Sequence, residues 1–148
     1  MEDTLAILKE YDFPPSQLWI EITERCRDLP ISMIKKTVTA FREAGIHITM
    51  DDYGTGSSSS QMMLKLPVEG VKIDMFFVKD ILEEKKKQAL VIGMINFANA
   101  ADLKICIEGI ENDNLESYLR QFDVTCFQGY HYSRPICQDE LMKLLIKP

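Results

Sequence analysis

The chain has 148 residues, of which 46% are hydrophobic, and it carries a formal net charge of −6. This length and apolar content are sufficient for one compact domain with a single core. The acidic balance argues against a polymeric nucleic acid as partner, because such binding neutralises phosphates with basic residues, but a small anionic ligand held through metal ions stays compatible. No apolar run approaches the roughly 18 residues of a membrane span, and the acidic start at Met1-Glu2-Asp3 is unlike a signal peptide.

The four cysteines, Cys26, Cys106, Cys126 and Cys137, show no CxxC spacing. Cys106 and Cys126 fall within predicted strands, so we interpret them as buried thiols rather than as part of a disulfide framework or a zinc site. Reduced cysteines and the lack of a targeting segment lead us to expect a cytosolic protein.

Apolar periodicity and turn residues predict strands and helices that alternate along the chain. The predicted strands cover residues 18–22, 46–50, 68–74, 103–107 and 124–127. The predicted helices cover residues 4–10, 31–44 with Gly45 as cap, 57–64, 76–82 as a turn, 84–100, 112–122 and 138–146. Five alternations predict an α/β fold with a parallel sheet and right-handed crossovers, and without a linker we expect one domain over residues 1–148.

The stretch from Ile48 to Gly56 draws attention first, because an apolar run ends in Asp51 and Asp52 and a loop with two glycines follows. Two adjacent carboxylates repel each other unless a cation lies between them. Glycines allow the backbone to approach a ligand closely. Taken alone, however, this pattern favours an ordinary Asp–Gly turn over a metal site.

Strand parity brings further polar residues to the same place. Side chains alternate between the two faces of a strand, so every predicted strand carries a polar residue near its carboxyl end on one common face. These residues are Glu21, Asp51, Lys72 with Asp74, Glu108 and Gln128, and Trp19, Thr49, Cys106 and Cys126 share their parity. The carboxyl edge of a parallel sheet is where α/β enzymes build their sites.

This edge would concentrate negative charge from Asp52 as well as from the acids just named, with Lys72 as the internal cation. We expect Mg²⁺ or Mn²⁺ to neutralise this charge, since both ions prefer oxygen ligands. Neither His47 nor His131 belongs to the cluster, which argues against a zinc ion. Two bridged cations would suit a phosphodiester substrate, because they activate water and stabilise the attacking and leaving oxygens. Lys72 can orient that water or neutralise the negative charge of the transition state. It can equally form a salt bridge to Asp74 or Asp51.

Five motifs in this order resemble those of a known family. Glu21-Ile22-Thr23-Glu24, Asp51-Asp52-Tyr53-Gly54-Thr55-Gly56, Val71-Lys72-Ile73-Asp74, Glu108-Gly109-Ile110-Glu111 and Gln128-Gly129-Tyr130 are similar to the successive motifs of EAL domains. The intervals of 30, 21, 36 and 20 residues between Glu21, Asp51, Lys72, Glu108 and Gln128 also match. The resemblance implies a modified (β/α)₈ TIM-type barrel that hydrolyses cyclic di-GMP to the linear dinucleotide pGpG.

The resemblance also implies roles for individual residues. Glu21 and Asp51 would bind metal directly, with Asp51 bridging, and Asp52 would bind the second metal and contact substrate. Lys72 would hold the attacking water, Glu108 would act at the second metal or its water, and Gln128 would position water or substrate. Glu24, Glu111 and Asp74 would support the glycine loop, and Arg134-Pro135 would lie near a guanine base.

The sequence departs from the family pattern at its beginning. The Glu-Ala-Leu segment and an early asparagine ligand are absent, and five strands stand where the barrel has eight, so we expect a partial barrel whose first three strands would precede Met1. Ser57 replaces a common aromatic residue, and Met75-Phe76 replaces a charged or small pair.

Three interpretations follow. The first is a metal-dependent cyclic di-GMP phosphodiesterase domain with little or no activity as this chain alone. The second is a silent cyclic di-GMP-binding or protein-interaction module, whose open strand at 18–22 predicts a homodimer, strand exchange or a complementary N-terminal segment. The third is a flavodoxin-like five-stranded sheet with an incidental acidic rim, which the matching intervals disfavour.

Overall fold

The computed structural model describes residues 1–23, 26, 29–55 and 59–146, the side chains of residues 59–61 excepted. Its strands are β1 (Trp19–Ile22), β2 (His47–Tyr53), β3 (Gly70–Ile73), β4 (Lys104–Ile107) and β5 (Cys126–Phe127). Its helices are α1 (Glu2–Glu10), α2 (Ile31–Glu43), α3 (Ser59–Lys65), α4 (Met75–Val78), α5 (Lys85–Ala100), α6 (Asp113–Leu119) and α7 (Gln138–Leu145), with a short 3₁₀ turn at Pro15–Gln17.

The five strands form one parallel sheet in the order β1-β2-β3-β4-β5. Each strand therefore pairs only with strands that are its neighbours along the chain. The predicted α/β alternation is confirmed, and all carboxyl ends of the strands meet at one edge.

The face of the sheet that packs against the helices forms the core. Ile48, Ile73, Ile105 and Ile107 on this face are at most 1% exposed. The long helix α5 covers β3 and β4 with its own buried residues, Val91, Met94, Ile95 and Ala98, and α2 packs on β2. Each fully buried aliphatic side chain stabilises the fold by about 1.5–3 kcal/mol. A slip of one residue would move these side chains to the opposite face, so their burial fixes the register and places the alternate residues on the other face of the sheet.

A bulge in β2 departs from the predicted pattern. The strand runs through Asp51 and Asp52 instead of ending at Met50, and Met50 pairs with Val71 while Tyr53 pairs with Ile73, so β2 holds one extra residue. Asp52 has a positive φ of 55°. Short polar side chains tolerate this left-handed conformation better than other residues, and bulges redirect side chains beside functional sites.

Two other expectations fail for simple reasons. The fifth strand has two residues rather than four, since only Cys126 and Phe127 pair with β4. Cys126 is exposed because β5 lies at the edge of the sheet, and Cys106 is half-buried, so the prediction of buried thiols is wrong for Cys126. All four cysteines are free thiols.

The loops that follow β4 and β5 are joined by their backbones. The Ile110 amide donates to the Gln128 carbonyl at 3.1 Å, and the His131 amide donates to the Ile110 carbonyl at 3.0 Å. A Cβ at Gly129 would lie 2.0 Å from the Ile110 carbonyl oxygen, which only glycine avoids. This close approach fixes the position of Gln128 relative to the end of β4.

The sheet has two free edges within the described part of the chain, at β1 and β5. Helix α7 has no buried residue, and its Leu144 and Leu145, with Ile146 just after it, are at least half exposed. None of the described helices has the length and apolar character needed to cross a membrane.

Gly129→Ala should destabilise the protein by about 2–4 kcal/mol, because the added methyl overlaps the Ile110 backbone. Gly93→Ala is the matched control, since Gly93 lies in α5 with open space around it. The control should stabilise by about 0.5–1 kcal/mol through helix propensity. Urea unfolding of both variants measures the difference, and equal midpoints would contradict the close approach.

Glu69 links the sheet to α2, since its carboxylate accepts hydrogen bonds from Arg42 and His47. Burial raises the pKa of Glu69, but these hydrogen bonds and charges outweigh burial and leave the pKa below its ordinary value of 4.5. A depressed pKa contributes stability above the ordinary value and loses it as the pH falls through the folded pKa.

Glu69→Gln should therefore lower the free energy of unfolding by about 1 kcal/mol at pH 7, with a smaller difference below pH 4. Denaturant titrations at several pH values measure this difference. The exposed Glu83→Gln is the control and should change stability by less than about 0.5 kcal/mol. A difference that is constant with pH would contradict the ion pair.

Candidate functional site

A lysine at the centre of the sheet collects carboxylates from three other strands. Lys72 Nζ lies 2.8 Å from Glu21 Oε1, 3.5 Å from Asp51 Oδ1 and 2.6 Å from Glu108 Oε1. Glu21 comes from β1, Asp51 from β2 and Glu108 from the end of β4, so the structure brings these predicted residues together. We call Lys72, Glu21, Asp51 and Glu108 the Lys72 cluster.

Lys72 is 7% exposed, and its environment determines its charge. Burial lowers the pKa of Lys72, but hydrogen bonds to Glu108 and Glu21 and the charges of Glu108 and Asp51 outweigh burial, so the pKa lies well above its ordinary value of 10.5. The ammonium form is therefore the state at neutral pH. It acts as a hydrogen-bond donor and does not accept a proton.

Asp51 keeps unused acceptor capacity. Its Oδ1 atom is buried and accepts no hydrogen bond from the described residues, although Lys72 is in ion-pair range. Such a buried oxygen is costly unless a partner reaches it. The β2 bulge lies immediately beside it, where the Asp52 carbonyl accepts from the Thr55 hydroxyl at 2.9 Å and from the Thr55 amide at 3.1 Å.

A cavity of about 330 Å³ opens beside the Lys72 cluster. Cys106, Cys126 and Gln128 contribute to its wall together with Glu21 and Lys72. Burial, together with the neighbouring Cys126 thiol, raises the pKa of Cys106 to about 12, so this side chain is a neutral thiol. The wall of the cavity thus combines the buried Lys72 cation, the Glu21 carboxylate and two cysteine side chains.

Gln128 also lines a second groove, which extends over the loop after β5. Arg134 and Pro135 lie in this groove, and the Arg134 guanidinium stands 4.5 Å from the centre of the Tyr130 ring. Planar cationic and aromatic groups of this kind suit a flat, electron-rich ligand. Gln128 is the residue common to the groove and the cavity.

Two of the residues expected to support the glycine loop, Asp74 and Glu111, lie in different surroundings. Asp74 caps helix α4, because its carboxylate accepts from the Phe76 amide at 2.7 Å. Glu111 is exposed and lines a separate cavity with Met75 and Gly109. Glu24, Gly56 and Ser57 lie outside the described residues, so the role assigned to Glu24 and Glu111 stays a prediction.

Both histidines pair with carboxylates outside the Lys72 cluster. His47 pairs with Glu69, and His131 Nε2 lies 3.0 Å from Glu116 Oε2 and 3.4 Å from Asp113 Oδ1. The donor set at the Lys72 cluster consists of oxygen atoms, and an oxygen set with one orphaned buried acceptor fits Mg²⁺ or Mn²⁺.

Sequence reasoning assigned Trp19 to the face of the cluster but gave it no role. Its ring stacks on His47 with 4.5 Å between ring centres, and Lys104 Nζ lies 5.0 Å above it. Sequence reasoning missed Lys104 altogether. The alternation of side chains along β4 could have placed it on the same face, because it has the same parity as Cys106 and Glu108. Trp19 and Lys104 also line the cavity.

The fold and the cluster together define a parallel α/β protein with an acidic, lysine-centred site at the carboxyl edge of its sheet. A profile of the EAL domain family matches residues 1–135. The chain belongs to the EAL domain family.

Individual proteins are similar to this chain. The cyclic di-GMP phosphodiesterase RocR of Pseudomonas aeruginosa is 29% identical over 142 residues, which are 95% of this chain and 36% of RocR. The EAL domain of Mycobacterium smegmatis DcpA superposes with a TM-score of 0.91 at 30% identity, covering 97% of this chain and 65% of that one. The manganese/cy-diGMP complex of Klebsiella pneumoniae BlrP1 superposes with a TM-score of 0.79 at 28% identity, covering 86% and 33%. The chain spans about a fifth of the length of other curated relatives.

Lys72→Met should destabilise the protein by about 2 kcal/mol, because the partly buried carboxylates lose their internal cation. Adding Glu108→Gln to this variant should recover part of the loss, since one uncompensated charge is removed. Unfolding midpoints of the two single variants and the double variant measure the coupling. The exposed Lys65→Met should be neutral within about 0.5 kcal/mol, and strictly additive effects would contradict the cluster.

Proposed function

We propose that this chain is part of a metal-dependent phosphodiesterase domain that hydrolyses cyclic di-GMP to linear pGpG in bacterial second-messenger signalling. The observation that carries the proposal is the Lys72 cluster, in which a lysine and three carboxylates from four strands converge beside a cavity. Membership of the EAL family, and the names of RocR and of the BlrP1 complex, support the same substrate.

Glu21, Asp51, Asp52 and Glu108 are the residues that would hold Mg²⁺ or Mn²⁺. The buried Oδ1 of Asp51, which accepts no hydrogen bond from the described residues, supports this assignment, since a cation would satisfy it. When bound, such ions polarise a phosphoryl oxygen and make water a better nucleophile at neutral pH. The chain itself supplies the oxygen ligands and the fixed geometry between β1, β2 and β4.

Lys72 has a distinct task. Its raised pKa keeps it protonated, so it donates a hydrogen bond to the attacking water and counters the charge that develops on the phosphate. The proton released by that water passes to one of the surrounding carboxylates and not to Lys72. Gln128 extends an amide into the same cavity and can hold water or a substrate oxygen.

Arg134, Pro135 and Tyr130 would receive a guanine base. The stacked pair of Arg134 and Tyr130 offers a flat cationic surface, and its groove meets the catalytic cavity at Gln128. A dinucleotide that lies across both would place a base in the groove and a phosphate beside the Lys72 cluster.

The five strands are proposed to be part of a modified (β/α)₈ barrel that lacks three strands. The free edges at β1 and β5 and the exposed apolar surface of α7 support this, as does the 65% coverage of the DcpA domain. Because two of the missing strands would carry ligands, this chain alone should turn over weakly or not at all. A complementary N-terminal segment or a second copy of the chain would complete the sheet.

The same features favour a second candidate, a silent cyclic di-GMP-binding or protein-interaction module. The groove and cavity need no complete metal site in order to bind a nucleotide. Calorimetric titration with cyclic di-GMP, with and without Mn²⁺, separates binding from turnover, and chromatographic detection of pGpG reports hydrolysis. Rates equal to those of an intact EAL domain would contradict the partial-barrel proposal.

Asp51→Asn should weaken Mn²⁺ binding at least about tenfold, because the change removes the charge while keeping the shape of the side chain. Calorimetry with MnCl₂ on the purified chain measures the dissociation constant. Asp139→Asn, in the exposed first turn of α7, is the matched control and should bind like the parent. Equal affinity of all three proteins would remove the Lys72 cluster as the metal site.

A further inference from the structure

Two cysteines stand side by side on neighbouring strands. Cys106 on β4 and Cys126 on β5 are direct register partners, and the row continues to Lys72 on β3. Both side chains point to the face that carries the Lys72 cluster and line the same cavity. Neither has a role in the proposed hydrolysis.

The two thiols are neighbours on adjacent strands. Cys106 and Cys126 are register partners that line the same cavity, and both cysteines are free. Partners on adjacent strands have Cα atoms about 4.8 Å apart, which lies within the span of about 4.4–6.8 Å that a disulfide bridges. Because β5 is a two-residue edge strand, it can shift and bring the two sulfur atoms to bonding distance without moving the core.

We infer that Cys106 and Cys126 form a reversible intramolecular disulfide when the protein meets a hydroperoxide, so that this pair is a redox modification site. Cys126 is exposed and reacts first: its sulfur attacks one peroxide oxygen, which gives a sulfenic acid and releases water. The Cys106 sulfur gives up its proton and attacks the sulfenic sulfur, and the displaced hydroxide takes up that proton and leaves as a second water. Overall, two thiols and one hydrogen peroxide give one disulfide and two waters.

The bridge would act where the two loops of the site begin. Glu108 and Gln128 each follow a bridged cysteine by two residues, so the disulfide would fix the spacing between the ends of β4 and β5. It would also tie a free edge strand to the sheet. The expected physical effect is a more stable sheet edge, and a thiol reductant should reverse it.

Cys26 and Cys137 provide internal controls. Cys26 precedes α2, and Cys137 directly precedes α7, so neither is a register partner of another cysteine. Cys137 is exposed like Cys126 and therefore meets the same oxidant. Selective reaction at the registered pair consequently reports on geometry and not on exposure alone.

The test treats the reduced chain with hydrogen peroxide and then alkylates the remaining thiols under denaturing conditions. Intact mass should show a loss of about 2 Da and alkylation at two cysteines instead of four, and a peptide map should link Cys106 to Cys126. The unfolding midpoint should rise by about 5 °C and fall again after reduction. Cys106→Ser and Cys126→Ser should abolish the link, while Cys26→Ser and Cys137→Ser should retain it.

Several results would overturn the inference. Four alkylated cysteines after peroxide treatment would show that the pair does not close. Conversion of Cys126 to a sulfinic acid with Cys106 still alkylated would show that the second step fails. A link between two chains would assign Cys126 to an intermolecular contact instead. Because these outcomes are read on the parent protein, they do not depend on whether a variant folds or on phosphodiesterase activity.

Discussion

One ammonium group holds four strands of this protein in a fixed relation at their functional edge. Lys72 contributes the cation from β3, and Glu21, Asp51 and Glu108 contribute carboxylates from β1, β2 and β4. Without it, these acids would repel each other in a partly buried space. The apolar face of the sheet provides stability, whereas this contact sets the distances between groups that could act on a ligand.

The electrostatic arrangement also assigns tasks within the cluster. Because hydrogen bonds outweigh burial at Lys72, the side chain keeps its proton and acts as a donor. Asp51 retains an unsatisfied oxygen, so acceptor capacity remains beside a fixed positive charge. A site that holds both a permanent donor and spare carboxylate oxygens is suited to a phosphate ester bound through divalent ions.

Much of this arrangement could be predicted from the sequence, because strand parity is a rigid rule. Counting by two placed Glu21, Asp51 and Lys72 on one face, and parallel topology brought them to one edge. The bulge at Asp51–Asp52 could not be predicted, since an extra residue in one strand depends on how the partner strand packs. The capping role of Asp74 was missed because the same carboxylate suits a strand end and a helix start.

The pairing of Cys106 with Cys126 illustrates a further limit of prediction from sequence. Sequence parity placed both on the same face, but register between strands depends on loop lengths and packing, so their pairing required coordinates. The interpretation of Cys126 as buried was wrong because its strand lies at the edge of the sheet. Whether a strand lies at an edge depends on the order of all the strands and cannot be read from the strand's own residues. The residue pattern of a single strand therefore predicts which side chains share a face more readily than it predicts which residues of other strands lie beside them.

The strand order has a consequence for how the polypeptide acquires its structure. Each strand pairs with the one synthesised immediately before it, so no pairing has to wait for a distant part of the chain. Each pairing joins residues 20 to 34 positions apart, so a strand can pair once the segment that connects it to the preceding strand has been made. The sheet can therefore be laid down strand by strand while the ribosome is still extending the chain, and the growing edge at each stage is the template for the next unit.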